Sequence, residues 1–187
     1  MTTIEKIKNY ALIEIESGYE PTVQLFIDSV TAHIERYTNR KFTTDEEATE
    51  RVFDSNGTGE IFIDDAVEIT EVKDNDNVID EDNYRLYPSN RLPKTRIILP
   101  SHKFSSGAQN IAVTAKWGFG EIPKDLEFAA TVMVAGIINS QQSKQSGGEI
   151  QSETIGRYQV SYAANSSQSH DFSNAKSILK MYRKLSC

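Results

Sequence analysis

Residues 126–138 (Leu-Glu-Phe-Ala-Ala-Thr-Val-Met-Val-Ala-Gly-Ile-Ile) are apolar apart from Glu127 and Thr131. A surface helix carries one apolar stripe; a helix apolar nearly all round must be covered on most sides. The run falls short of the ~20 residues that cross a bilayer, so protein rather than lipid has to cover it. Pro123 suits its first turn, Asp125 lies near the positive end of its dipole, and Gly136 permits a close neighbour. Leu126, Ala129, Met133 and Ile137 are expected to form the central core, with Val132, Gly136 and Ile138 nearer a subunit contact.

Covering helices can be read nearby. Residues 3–16 place Ile4, Ile7 and Ala11 on one side. A clearer helix opens at Pro21, repeats Val23, Phe26, Ile27, Val30, Ile34 and Tyr37 at helical spacing, and ends near Asn39. A closing helix is expected from about Asp171, as N-cap, with Phe172, Ala175, Leu179 and Tyr182 on one face.

Between these helices the period changes. Arg51-Val52-Phe53 and Glu60-Ile61-Phe62-Ile63 flank the turn-rich residues 54–59 and read as a hairpin. Val67, Ile69 and Val72 read as a third strand, with Asp64-Asp65 at a strand-end turn. Residues 84–87, 96–99 and 111–117 complete the set, and Pro88, Pro93 and Pro100 fall between strands. After a Gly/Ser-rich loop over residues 140–148, Ile155, Tyr158, Val160 and Tyr162 suggest an extended arm. The expected fold class is α+β: a small bundle of about four helices with an inserted antiparallel β unit of roughly six short strands. The expected division is 1–44 (helices), 45–118 (β unit) and 119–187 (core helix, arm and closing helix).

Charge is unevenly spread. Residues 45–85 hold 15 acidic and 3 basic side chains, residues 88–117 hold 5 basic and no acidic ones, and residues 172–187 hold 4 basic and none acidic. Such poles suit solvated loops or the meeting of opposite charges on neighbouring copies. The net charge of −7 argues against a sequence-reading nucleic-acid binder. Cys187, the only cysteine, excludes an intramolecular disulfide and a cysteine zinc site. No apolar segment of signal type follows Met1, so a protein made in a reducing compartment is expected.

Catalytic patterns are missing. His33, His102 and His170 are isolated, with no i, i+4 histidine partner for a metal. There is no Gly-x-Ser-x-Gly elbow, phosphate loop or dinucleotide fingerprint. Asp74-Asn75-Asp76-Asn77 resembles the opening of a calcium loop, but Ile79 stands where glycine is needed and Arg85 where a bidentate glutamate belongs. Trp117 and Phe119 read as core or interface residues, because a base-stacking platform needs surrounding cations. No metal or cofactor is expected.

Three stretches carry a family resemblance. They are Val113-Thr114-Ala115-Lys116-Trp117-Gly118-Phe119-Gly120-Glu121-Ile122-Pro123, then Ser152-Glu153-Thr154-Ile155-Gly156-Arg157-Tyr158-Gln159-Val160-Ser161-Tyr162, then Ala175-x-x-Ile178-Leu179-x-x-Tyr182-Arg183. Together they resemble the head–tail connector (head completion, or adaptor) proteins of long-tailed bacteriophages, in the longer members with an inserted β unit. The resemblance implies a non-enzymatic virion protein made in the host cytoplasm. It implies a homo-oligomeric ring of about twelve copies beneath the portal, closed by a heterologous interface. Such a ring extends the channel through which DNA passes without sequence-specific binding, and docks the next stopper or tail completion protein.

On that basis Ile155, Tyr158, Val160 and Tyr162 are candidates for arm packing on the chain's own or an adjacent bundle. Lys180, Tyr182, Arg183 and Leu185 are candidates for portal docking. Two alternatives stand beside this reading: a tail-terminator or stopper, and a module whose β unit binds a host protein or carbohydrate. The binding module predicts a concave aromatic site within residues 47–117 and activity as a monomer. An enzyme of unrecognised type would need a buried carboxylate cluster.

Overall fold

The computed structural model describes the chain apart from residues 13–14, 16–17, 146–149, 156–157, 164–165 and 185–187, with side chains also left out over 142–172. Two compact units result: residues 1–39 with 122–187, and residues 40–121.

The first unit contains α1 (Ile4–Ala11), α2 (Glu20–Thr38), α3 (Lys124–Gln145), the strands β7 (Ile150–Ile155) and β8 (Tyr158–Ala163), and α4 (Ser166–Met181). Thr3 caps α1, its hydroxyl accepting from the Lys6 N–H at 3.3 Å. α2 has Pro21 in its first turn and buries Val23, Ile27, Val30, Ile34 and Thr38, steps of three and four that keep one stripe inward. Asn39 closes it in the left-handed region at φ 53°, a conformation its short polar side chain tolerates.

α3 packs against α1, α2, α4 and β8. Leu126, Ala129, Ala130, Met133, Val134 and Ile138 are all buried, so the apolar run is covered from several sides by its own unit. Val132 and Ile138 keep 5% and 1% of their surface, and Gly136 is buried too. These three leave almost nothing for a second copy to cover. Phe128 is the exception on this run: it is 41% exposed and meets Tyr10 edge-on at 5.7 Å. Inside this unit the Thr131 hydroxyl lies 2.7 Å from that of Thr2, so these two buried hydroxyls pair with each other.

The closing helix begins earlier than its apolar pattern indicates. α4 already spans Ser166, so Asp171 is an interior residue and not the cap. Its first turn, Ser-Ser-Gln-Ser-His, offers no apolar repeat to mark it. The arm is a two-stranded antiparallel hairpin, with Ile155 opposite Tyr158, Glu153 opposite Val160 and Gln151 opposite Tyr162.

The second unit is a six-stranded antiparallel sheet. Its strands are β1 (Thr49–Asn56), β2 (Glu60–Asp74), β3 (Asn77–Val78), β4 (Arg85–Tyr87), β5 (Lys94–Ile98) and β6 (Ser106–Trp117), in the order β1-β6-β2-β5-β4, with β3 on β2. The expected hairpin of β1 with β2 does not form. β6 lies between them and pairs with both, Thr49 facing Ala115 on one side and Ala66 facing Trp117 on the other. The connection over residues 57–59 is held instead by residues 99–104, with Leu99 N–H donating to Gly59 O at 2.8 Å and Phe104 N–H to Thr58 O at 3.0 Å.

The expected third strand is the second half of β2. Register shifts near residues 62–66, 66–68 and 69–71 let this long strand bend without ending. Asp64 and Asp65 therefore sit within a strand, not at a turn. Ile111, Val113, Ala115 and Trp117 alternate on the buried side of β6, and Ile61, Ile63, Ile97 and Leu99 complete the core.

Candidate functional site

Two constellations stand out, one in each unit. In the β unit, residues 40–45 return beside residues 117–120. The chain approaches most closely at Gly118, which has φ +134°; a Cβ there would lie 2.3 Å from the Thr43 carbonyl oxygen. Only glycine fits. The Gly118 N–H donates to Asp65 O at 2.7 Å, and the Asp45 N–H donates to Trp117 O at 2.8 Å. Phe42 and Phe119 pack at 5.1 Å between centroids.

Arg40 reaches over Phe119, 5.6 Å from its centroid, to donate to Asp65 Oδ1 at 2.8 Å. Asp65 is 5% exposed, so Arg40 pairs with a carboxylate held almost entirely out of water. This clasp joins the beginning and the end of the insertion. The Trp-Gly-Phe-Gly motif is visible in the sequence, but the partners it contacts are not.

Part of the acidic segment is paired across strands. Arg51 bonds Asp64 at 2.7 Å, Arg96 bonds Glu60 at 2.9 Å, and Lys116 bonds Glu68 at 3.1 Å. Glu46, Glu47, Asp76, Asp80, Glu81 and Asp82 remain exposed with no ion pair among the described residues. A groove in this unit is lined by Asp74, Asn77, Asp80, His102 and Lys103 and by no Phe, Tyr or Trp, which does not suit sugar stacking. Among the described residues no group of three or more His, Cys, Asp or Glu side chains is placed to hold a metal. No described helix is long and apolar enough to cross a membrane.

The second constellation gathers at the C-terminal ends of α2 and α4. Tyr182 donates its hydroxyl to Asp125, 2.8 Å from Oδ1 and 3.0 Å from Oδ2. Burial first, and then the bond to the Asp125 carboxylate, push the Tyr182 phenol up to about 12. Asp125 also accepts from the Leu126 N–H at 2.9 Å, one of the donors that a helix start leaves unpaired. The Lys184 N–H donates to Thr38 O at 2.7 Å, satisfying a carbonyl at the end of α2.

Arg183 lies over the Tyr37 ring, 5.9 Å from its centroid, and His33 stacks on the same ring at 6.5 Å. Burial and then Arg36 hold His33 below its ordinary pKa. Of the docking candidates, Lys180 and Arg183 are exposed and Tyr182 is half-buried with its hydroxyl engaged; Leu185 lies outside the described residues. Ile155, Tyr158, Val160 and Tyr162 have a described backbone in β7 and β8, but their side chains lie outside the description. Arg36 and Tyr37 join this end from α2. Their helical pattern alone does not signal it, because residues far apart in sequence must first be folded together.

The sequence matches the family described as head completion protein over residues 1–185. The chain belongs to that family. Its fold is shared with two solved structures. One is described as the neck of a native GTA particle computed with C12 symmetry: TM-score 0.56, 10% identity, 98% of this chain and 89% of that chain covered. The other is described as the neck of an empty GTA particle computed with C6 symmetry: TM-score 0.54, 11% identity, 93% of this chain and 82% of that one covered. None of the curated proteins matches by sequence. As a head completion protein the chain is a structural virion component of the head–tail connector, the role its motifs indicated.

Proposed function

We propose that this head completion protein assembles as a ring under the portal, extends the DNA channel and docks the next stopper or tail completion protein. The observation that carries the reading is the family match over residues 1–185. The C12 and C6 symmetries belong to the neck structures that share the fold, and they favour a ring here of about twelve copies. Lys180, Arg183 and Leu185 dock on the portal, while Tyr182 holds that segment against Asp125. Ile155, Tyr158, Val160 and Tyr162 supply the arm packing. Exposed, unpaired carboxylates repel the DNA backbone, so DNA slides without sticking. The protein works without catalysis and is made in the host cytoplasm before joining the particle.

The test is electron microscopy of purified portal rings mixed with the full chain and with a chain lacking residues 172–187. Full-length protein adds a ring of density beneath the portal; the truncated chain adds none. Undiminished attachment by the truncated chain removes the docking assignment.

A further inference from the structure

Three exposed cations at the C-terminal end of the helical unit have no ion pair among the described residues: Arg36, Lys180 and Arg183. Elsewhere in that unit Lys6 pairs with Glu127 and Lys8 with Glu20, while Lys124 at the start of α3 is exposed and lies outside any ion pair among the described residues. A helix C-terminus favours nearby positive charge, which accounts for Arg36 and Lys180 within their last turns. It does not account for Arg183, which follows α4 and lies over an aromatic ring of another helix.

Nor does it account for the apolar surface beside them. Met181 is 71% exposed and Tyr37 is 36% exposed. Arginine, tyrosine and methionine together are the composition enriched where proteins meet, relative to the rest of a protein surface. The surface is also fixed in advance. The Lys184–Thr38 backbone bond joins the ends of α2 and α4, and the Tyr182–Asp125 bond anchors the same segment to the start of α3. A backbone segment ordered before binding lowers the ordering cost on contact.

We propose that the last turns of α2 and α4 form one composite docking surface, Arg36, Tyr37, Lys180, Met181 and Arg183, for an acidic protein segment that also carries an apolar side chain. This deepens the portal-docking reading and rests on it: the acidic segment belongs to the portal, and the site includes residues from the N-terminal third of the chain. Double-stranded DNA is the weaker fit. Its phosphate backbone offers nothing for Met181 or Tyr37, and most free charge on this chain is negative.

The experiment measures attachment of the full chain to purified portal rings by co-sedimentation, at several salt concentrations, with Arg36→Glu, Tyr37→Ala and Arg183→Glu. Lys103→Glu in the β unit serves as a control, and circular dichroism checks that each variant is folded. Arg36→Glu and Arg183→Glu are each expected to weaken attachment by tenfold or more, Tyr37→Ala by several-fold, and Lys103→Glu not at all. Attachment of Arg36→Glu and Tyr37→Ala at wild-type strength, with Arg183→Glu weakened, overturns the composite surface and leaves the portal reading standing. Failure of the wild type to attach removes both. Duplex DNA retained by the wild type and lost by Arg36→Glu, with portal attachment unchanged, assigns the surface to phosphate and also overturns the proposal.

Discussion

Replacing Tyr182 with phenylalanine removes one hydroxyl and keeps the ring. That hydroxyl has a single proton, shared between Asp125 Oδ1 at 2.8 Å and Oδ2 at 3.0 Å, so one charge-assisted hydrogen bond is lost. Such bonds contribute about 1.5–3 kcal/mol. Asp125 is half-buried and keeps its Leu126 N–H donor, so water can take the vacated position. The lower end, about 1.5 kcal/mol, is therefore expected. With a urea slope of about 2 kcal/mol/M, the midpoint falls by roughly 0.7 M.

The two units provide separate probes. Circular dichroism at the helix band reports chiefly on the helical unit, and the lone Trp117 reports on the β unit. Only the first transition should move. The unfolded phenol loses its proton near its ordinary value of 10, whereas the folded one holds it to about 12. The stabilisation is therefore complete below pH 10 and lost as pH rises through 12. A latest-titrating phenol near 12 is expected in the wild type and absent in Tyr182→Phe. An unmoved helical transition together with a persisting late phenol would refute the reasoning.

Gly118→Ala places a Cβ 2.3 Å from the Thr43 carbonyl oxygen at a φ of +134°, and should lower the Trp117-detected stability by about 3 kcal/mol or more. Arg40→Ala takes the guanidinium away from the buried Asp65 carboxylate, and the same probe should register a loss of about 3 kcal/mol. Arg36→Gln removes one of the two influences that lower the His33 pKa, so NMR titration should show that pKa rise toward 6.5. Because the folded value is depressed, the wild type loses this part of its stability as pH falls from 6.5 through the folded pKa, and Arg36→Gln narrows that window.

What the sequence discloses is local. α2 is legible because a three-and-four repeat, Pro21 and Asn39 all act within one helix. The burial of α3 and the presence of covering helices are legible, yet how completely those helices and β8 enclose each face of α3 is not. That is why Val132, Gly136 and Ile138 are enclosed by their own unit and Phe128 is the exposed residue. Strand existence is also legible, but pairing is not: nothing within residues 51–63 records that β6 will arrive between β1 and β2. Asp65 reads as a turn residue because its partner, Arg40, lies beyond the strand pattern. The C-terminal end of the helical unit, where portal docking is proposed, is half legible. Lys180, Tyr182 and Arg183 follow from the closing-helix motif, while Arg36, Tyr37 and Asp125 meet them only through the Thr38–Lys184 and Asp125–Tyr182 bonds.

The central claim is that copies of this chain build a collar on the portal. Electron microscopy of portal rings with and without the purified full-length protein tests it most directly. A new annular layer beneath each portal, absent when residues 172–187 are deleted, is the predicted image. Bare portals at saturating protein, with the chain remaining free in solution, would contradict it.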